Sequence, residues 1–180
     1  MNIPTYYINI DEQDLGMSAI SLVEYPAIER DFVKLAEQKP LQFSANEDKR
    51  ELFGPALIAD MPIYRRNGNF EYYVVFTADV IKQIAERYSK NNLWGRVNLQ
   101  HQEDTFVEGV VMLETYIKNE ALGISPKGFE DVADGSLFVR FKVEDEKLWN
   151  VLKSDEFKGF SVEITADLEE EKFSQMTNAP

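Results

Sequence analysis

Short runs rich in β-branched and aromatic residues recur along the whole chain, and turn-forming residues separate most of them. The clearest turn signal is Asn67-Gly68, because this dipeptide readily adopts positive φ between two paired strands. We predict strands at 3–10, 17–23, 51–61, 70–76, 96–101, 109–117, 137–143 and 160–166, whereas 32–42 is ambiguous. Within 51–61 the Gly54-Pro55 pair indicates a bulge or a sheet edge, and the run from Ile63 is placed to continue that strand. Because short turns join most of these runs, the pattern favours an antiparallel sheet or small barrel over alternating strands and helices.

Two segments show helical spacing. Thr77 is a suitable N-cap, and Val80, Ile84 and Tyr88 then recur at intervals of three or four residues. Asp145 is placed to open a second, shorter helix. The sequence therefore predicts an α+β fold, with a mostly antiparallel β-barrel or sheet flanked by at least two helices.

A single domain is expected. The 180 residues are 44% hydrophobic, which is enough for one substantial core, and no repeat or low-complexity linker divides the chain. The acidic run 167–171 and the polar residues after it are typical of a solvated tail. We expect a protease-like domain over 1–168 and a tail over 169–180.

Composition excludes several classes of function. A formal charge of -13 disfavours nucleic acid as a direct partner, because a phosphate backbone would be repelled. The chain has no cysteine and one histidine, so disulfides, thiolate nucleophiles and the usual zinc sites are excluded, and we expect no cofactor. No signal-peptide pattern and no apolar run of about 18 residues is present, so we expect a protein of a reducing compartment without a membrane partner.

Two predicted strands carry the residues best suited to chemistry. In 97–101 the alternation of a strand places His101 on one face with Val97 and Leu99. In 159–164 the same alternation places Ser161 and Glu163 together, on the face opposite the apolar residues of that strand.

A serine hydroxyl becomes a nucleophile when a base within about 2.6–3.2 Å takes its proton, and imidazole has a suitable pKa. His101 is the only histidine that can do this for Ser161. For a third group that orients the imidazole, Glu163 ranks first. Asp104, Glu108 and Glu114 remain alternatives. By themselves, a histidine at a strand end and a serine within a strand are more often structural than catalytic.

Three segments together resemble the phage prohead serine proteases. His101 ends Gly95-Arg96-Val97-Asn98-Leu99-Gln100-His101, and a glycine-led strand follows at Gly109-Val110-Val111. Ser161 lies in Gly159-Phe160-Ser161-Val162-Glu163-Ile164, which is similar to the serine strand of that family. Residues 17–29 resemble its Ser-Leu-Val-x-x-Pro-Ala signature. This signature follows the serine in many relatives but precedes it here, as in a subgroup that is circularly permuted.

The resemblance implies an assemblin-like fold and peptide hydrolysis through an acyl-enzyme, with Ser161 as nucleophile and His101 as general base. Some relatives have an acid before Ser-Leu-Val, whereas the corresponding stretch here, Ala19-Ile20-Ser21, has none. A dyad of Ser161 and His101 helped by a nearby carboxylate or by water is therefore as compatible with the resemblance as a full triad. The implied substrates are the major capsid protein precursor, the scaffold and the protease itself, inside the assembling head in the host cytoplasm. The protein would be a possible homo-oligomer, and Arg96 and Arg140 are candidate oxyanion donors.

Two other interpretations remain open. The protease fold can persist as a non-enzymatic virion or scaffold component, or a sheet edge can bind an extended peptide by strand addition. The enzyme hypothesis predicts a specific arrangement of two side chains in the fold. It expects Ser161 and His101 to lie side by side, with no strand between them.

Overall fold

The computed structural model describes residues 3–10, 16–23, 44–46, 49–100, 106–152, 159–165 and 167–170. The strands in this part of the chain are β1 (Thr5–Asn9), β2 (Gly16–Val23), β3 (Ser44–Asn46), β4 (Glu51–Leu57), β5 (Ile63–Asn67), β6 (Phe70–Val75), β7 (Val97–Leu99), β8 (Val110–Ile117), β9 (Leu137–Val143), β10 (Gly159–Thr165) and β11 (Asp167–Glu170). The α-helices are α1 (Ala78–Lys90) and α2 (Glu146–Leu152), and short 3-10 helices cover Leu93–Gly95 and Glu120–Leu122.

The strands form three sheets. Their orders are β11-β1-β6-β5, β10-β2-β7 and β3-β4-β9-β8. Six of the eight strand pairs are antiparallel, whereas β1 with β6 and β2 with β7 are parallel. The α+β prediction with two helices is confirmed. The described strands do not close into a barrel, so of the two predicted arrangements the structure has open sheets.

Local sequence explains where the main turns and bends fall. The β5–β6 hairpin turns at Gly68, whose φ of 61° suits the residue without a Cβ, and it brings Asn67 opposite Phe70. In β4 the register shifts between Pro55 and Leu57, because proline has no N–H to give to the ladder. Both signals were correctly read from the sequence.

The helices begin at the predicted caps. The Thr77 hydroxyl accepts a hydrogen bond from the backbone N–H of Val80 at 3.3 Å. Along α1 the residues Ile81, Ile84 and Tyr88 are buried, and the helix packs on β2. The Asp145 carboxylate accepts from the Leu148 N–H at 2.7 Å where α2 begins.

The core lies where the three sheets and α1 meet. The rings of Phe141 on β9 and Phe160 on β10 lie 5.5 Å apart and join two of the sheets. The buried Ser136 hydroxyl accepts from the Ala59 N–H at 3.0 Å and donates to the Ala133 carbonyl at 2.7 Å, so it fixes the chain just before β9. β10 therefore contacts β4 of a neighbouring sheet as well as its own partner β2.

The structure corrects several sequence-based boundaries. Asp167–Glu170, which the sequence suggested as the start of an acidic tail, forms β11 and pairs with β1 (Asn9 opposite Asp167). Ile63 starts a new strand instead of continuing β4, and the predicted strand 96–101 is shorter, ending at Leu99. The ambiguous segment 32–42 and residues 171–180 lie outside the described residues, so the proposed boundary at 168 stays a prediction.

Candidate active site

A row of three buried polar side chains crosses the sheet β10-β2-β7. Ser161 on β10 is directly opposite Ser21 on β2, and Ser21 is in register with Asn98 on β7. Residues opposite one another in neighbouring strands have their side chains on the same face of a sheet. The exposed fractions are 5% for Ser161, 0% for Ser21 and 1% for Asn98. Three hydrogen-bonding groups therefore lie side by side, out of contact with bulk water.

This polar row is flanked by apolar residues on all three strands. The rows next to it contain Phe160 opposite Leu22 and Val162 opposite Ile20, with side chains on the other face of the sheet. Phe160, Leu22 and Ile20 are buried, and Val162 is half-buried. Because both faces of the sheet are covered here, the serines are fixed within the core and do not belong to a solvated polar face.

The strand that carries Ser161 is not next to the strand that precedes His101. β2 lies between β10 and β7, the strand that ends two residues before His101. With neighbouring strands about 4.8 Å apart, Ser161 and Asn98 are separated by roughly 10 Å between their Cα atoms. His101 lies outside the described residues, so its contact with Ser161 stays a prediction.

The backbone changes direction just before His101. β7 ends at Leu99, and Gln100 has a φ of 52°, in the left-handed region. The Gln100 N–H still donates to the Leu22 carbonyl at 3.0 Å. A left-handed residue interrupts the alternation of side chains along a strand, so the sequence-based placement of His101 on the face of Val97 no longer follows from strand geometry.

Glu163 is the predicted third member of the site. It lies two residues after Ser161 on β10, and its partner across the strand pair is Ala19 on β2. Its side chain is outside the described part of the structure.

The other acidic candidates lie in different parts of the chain, and two of them are described by the structure. Glu114 on β8 belongs to a different sheet, where its carboxylate accepts from the Arg140 Nε at 3.1 Å on the surface. Glu108 is exposed in the turn before β8. Asp104 lies outside the described residues. The structure therefore does not bring Glu114 together with Ser161.

The two arginines that the sequence suggested as oxyanion donors both have other partners. The Arg140 guanidinium lies 5.1 Å from the centre of the Phe53 ring and also contacts Glu51 at 3.3 Å. The Arg96 guanidinium lies 5.4 Å from the centre of the Phe106 ring. Arg140 belongs to the sheet β3-β4-β9-β8, so the structure gives it no place beside Ser161.

A cavity of about 340 Å³ lies beside Ser161, where the three sheets converge. Most of its lining is aliphatic. Arg65 is the one charged residue among the described residues that line it, and Tyr72 is opposite Arg65 on the next strand. The lining residues are Ile8, Ala56, Leu57, Ile58, Ile63, Arg65, Tyr72, Val74, Phe76, Phe160, Ser161, Val162 and Ile164. A concave apolar surface with few polar groups is the usual form of a ligand site.

Sequence reasoning missed Ser21 and Asn98. Both are single polar residues between aliphatic neighbours, in Ile20-Ser21-Leu22 and Val97-Asn98-Leu99. In a strand covered on both faces, one polar position within an apolar run marks a buried polar group. That signal was visible, but pairing the two positions with Ser161 required the strand order.

Among the residues that the structure describes, no helix is long and apolar enough to cross a membrane. Within the same ranges, no three His, Cys, Asp or Glu side chains are grouped so as to hold a metal ion.

Comparison with known proteins shows which family the chain belongs to. No curated protein and no solved structure matches the chain. The family model described as "Putative phage serine protease XkdF" matches residues 63–170, which is more than half of the chain and includes both Asn98 and Ser161. The chain therefore belongs to this family of phage serine proteases.

Proposed function

We propose that this protein is a serine endopeptidase that cleaves capsid proteins during maturation of the phage head, with Ser161 as nucleophile and His101 as general base. Membership of a phage serine protease family supports peptide hydrolysis. The observation that carries the choice of residues is the buried polar row of Ser161, Ser21 and Asn98. It places the hydroxyl at one end and the strand that leads to His101 at the other.

The row supports the dyad through its geometry. β7 ends two residues before His101, and the left-handed Gln100 turns the chain at that point. An imidazole that folds back over Ser21 from there approaches Ser161 along a line of polar groups and not through apolar side chains. The chain has no second histidine that could serve instead.

The proposed reaction follows the usual course for a serine nucleophile. The Ser161 Oγ attacks the scissile carbonyl carbon while His101 takes the hydroxyl proton, and backbone N–H groups stabilise the oxyanion. The C–N bond then breaks as His101 returns the proton to the leaving amine. Water, activated by His101, hydrolyses the acyl-enzyme. Glu163 is the proposed group that orients the imidazole.

The finer assignments rest on the family resemblance. The substrates are the major capsid protein precursor, the scaffold and the protease itself, cut inside the prohead in the host cytoplasm. The Ser-Leu-Val segment, here β2, precedes the serine strand, which supports placement in the circularly permuted subgroup with an assemblin-like fold. Pairing β2 directly with β10 is compatible with such a rearrangement, because the sheet keeps the same neighbours when the chain order changes. Self-association into a homo-oligomer is part of the same proposal.

The test is cleavage of the capsid precursor by the purified protein. We expect Ser161→Ala and His101→Ala each to lower the cleavage rate by at least about 10³-fold, as losing a nucleophile or its base does in other serine proteases. Ser125→Ala is the matched control, because Ser125 is exposed in the loop after β8 and its loss should leave the rate unchanged. Circular dichroism would verify that each variant is folded.

The opposite outcomes are equally specific. If wild type and Ser161→Ala leave the precursor equally intact, the enzyme proposal fails and a non-enzymatic scaffold or virion role takes its place. If Ser161→Ala abolishes cleavage but His101→Ala does not, Ser161 keeps its role and another base replaces His101.

A further inference from the structure

We infer that the cavity beside Ser161 is the specificity pocket of the protein, and that it accepts a large apolar side chain of a peptide that also carries an acidic residue close by. This inference rests on the proposed protease function and names the class of peptide that it would cleave. It is argued from the volume of the cavity, its lining and its position relative to β10.

The volume suits a large side chain. A closed apolar cavity of about 150 Å³ is enough to hold benzene, and this cavity measures about 340 Å³. Its lining includes Ile63, Val74 and Phe76, which are buried and aliphatic or aromatic. Burying a Phe or Leu side chain there would contribute more to binding than burying Ala or Gly, because less apolar surface would remain in water.

The position of the cavity relates it to the scissile bond. By strand alternation the Ser161 side chain lies on one face of β10 and the side chains of Phe160, Val162 and Ile164 lie on the other. All four residues contribute to the lining of the cavity. β10 is the edge strand of its sheet in the described part of the chain. In an extended peptide running along β10, successive side chains also alternate between the two faces. When its scissile bond lies on the Ser161 side, the neighbouring residue directs its side chain into the cavity.

The positive charge of Arg65 favours the second feature of the peptide, which is an acidic residue close to the apolar one. Arg65 is half-buried, and no other charged residue appears among the described residues of the lining. The whole chain carries a formal charge of -13, so an acidic peptide would be repelled by most of the surface. One nitrogen of the Arg65 guanidinium donates to the Tyr64 carbonyl at 3.1 Å. A guanidinium has five N–H donors, so a donor beyond this bond can also serve a carboxylate in a mostly apolar cavity. The cavity and Arg65 together therefore favour an apolar residue with Asp or Glu nearby.

The experiment is a cleavage profile on a pool of synthetic decapeptides with randomised central positions, with the cut sites identified by mass spectrometry. With wild type we expect at least tenfold enrichment of Phe, Tyr, Leu or Met next to the cut, and enrichment of Asp or Glu within two positions of it. Ile58→Trp fills the half-buried side of the cavity, so it should shift the preference toward Ala and Gly.

Two arginines that are adjacent in sequence supply the matched pair. Arg65→Glu should remove the acidic preference, whereas Arg66→Glu should retain it, because Arg66 is exposed, lies outside the cavity and donates to the Gly68 carbonyl. Both changes alter the net charge equally. If the protein cleaves peptides but shows neither preference, or if the two variants behave alike, the pocket inference is wrong while the protease proposal stands.

Absence of cleavage is also informative. If wild type cuts no decapeptide, cleavage of the capsid precursor still decides the protease proposal, and the pocket is then tested by titrating acetyl-Glu-Phe-Ala-amide into the intact protein in a calorimeter. Binding that is weakened at least tenfold by Arg65→Glu but not by Arg66→Glu would keep the pocket as a peptide-binding site. Equal binding by both variants, or no binding by wild type, would overturn it.

Discussion

Replacing Gly135 with alanine should destabilise the fold more than the same change at another glycine with the same backbone conformation. Gly135 precedes β9 and has a φ of 87°. A Cβ at this position would overlap the Ala78 Cβ at the start of α1 and would lie 3.2 Å from the Ala78 Cα. Gly128 has a φ of 88°, but a Cβ there would have no neighbour within 4 Å.

The comparison separates two costs. A left-handed backbone costs an alanine about 1–2 kcal/mol, and this cost applies at both positions. Overpacking against Ala78 adds about 1–3 kcal/mol at Gly135 alone. We therefore expect Gly128→Ala to lower the free energy of unfolding by about 1–2 kcal/mol and Gly135→Ala to lower it by about 2–5 kcal/mol. Urea denaturation followed by circular dichroism measures both values.

A double variant identifies the contact that is responsible. Ala78→Gly should cost up to about 1 kcal/mol alone, because glycine is a poorer helix former. Combined with Gly135→Ala it removes the overlapping methyl group, so the pair should be less destabilised than the sum of the single changes by about 1 kcal/mol or more. The reasoning is refuted if Gly135→Ala and Gly128→Ala differ by less than about 0.5 kcal/mol, or if the double variant is strictly additive.

Three other outcomes are expected. Thr77→Ala should lower stability by about 1 kcal/mol in urea denaturation, because it removes the N-cap of α1. Tyr88→Phe should leave stability unchanged or raise it, because the buried Tyr88 hydroxyl has no hydrogen-bond partner among the described residues. The backbone N–H of Glu120 and then the Lys118 ammonium hold the pKa of Asp134 below its ordinary value of 3.8. This carboxylate therefore contributes stability above about pH 4 that is lost as the pH falls through its lowered pKa. Asp134→Asn should make acid unfolding less steep below pH 4, and an unchanged acid titration would contradict this.

Local patterns predicted most of the secondary structure. The Asn67-Gly68 turn, the Thr77 cap and the Gly54-Pro55 irregularity each depend on residues near one another in sequence, so their physical causes are visible in the sequence itself. The pairing of Asp167–Glu170 with β1 was not predicted, because a run of acidic residues is usually solvated and its partner strand lies at the other end of the sequence.

The candidate site was predicted less completely, because it depends on which distant strands become neighbours. Ser161 was identified from its motif, and its burial follows from strands that come from three parts of the chain. Alternation within one strand does not reveal that β2 separates β10 from β7. The left-handed Gln100 also has no clear sequence signal, since a non-glycine residue adopts this conformation only where its surroundings demand it.

Because β2 lies between β10 and β7, the candidate site can form only after distant parts of the chain have been synthesised. Ser21 and Ser161 are neighbours in the sheet but are 140 positions apart in the chain. During translation β2 cannot pair with β10 until β10 has left the ribosome. Such long-range pairing is also slow, because a large loop has to close first. The polar row is therefore assembled among the last parts of the fold. A nascent or truncated chain would lack it, which would postpone any proteolysis until synthesis has passed the serine strand.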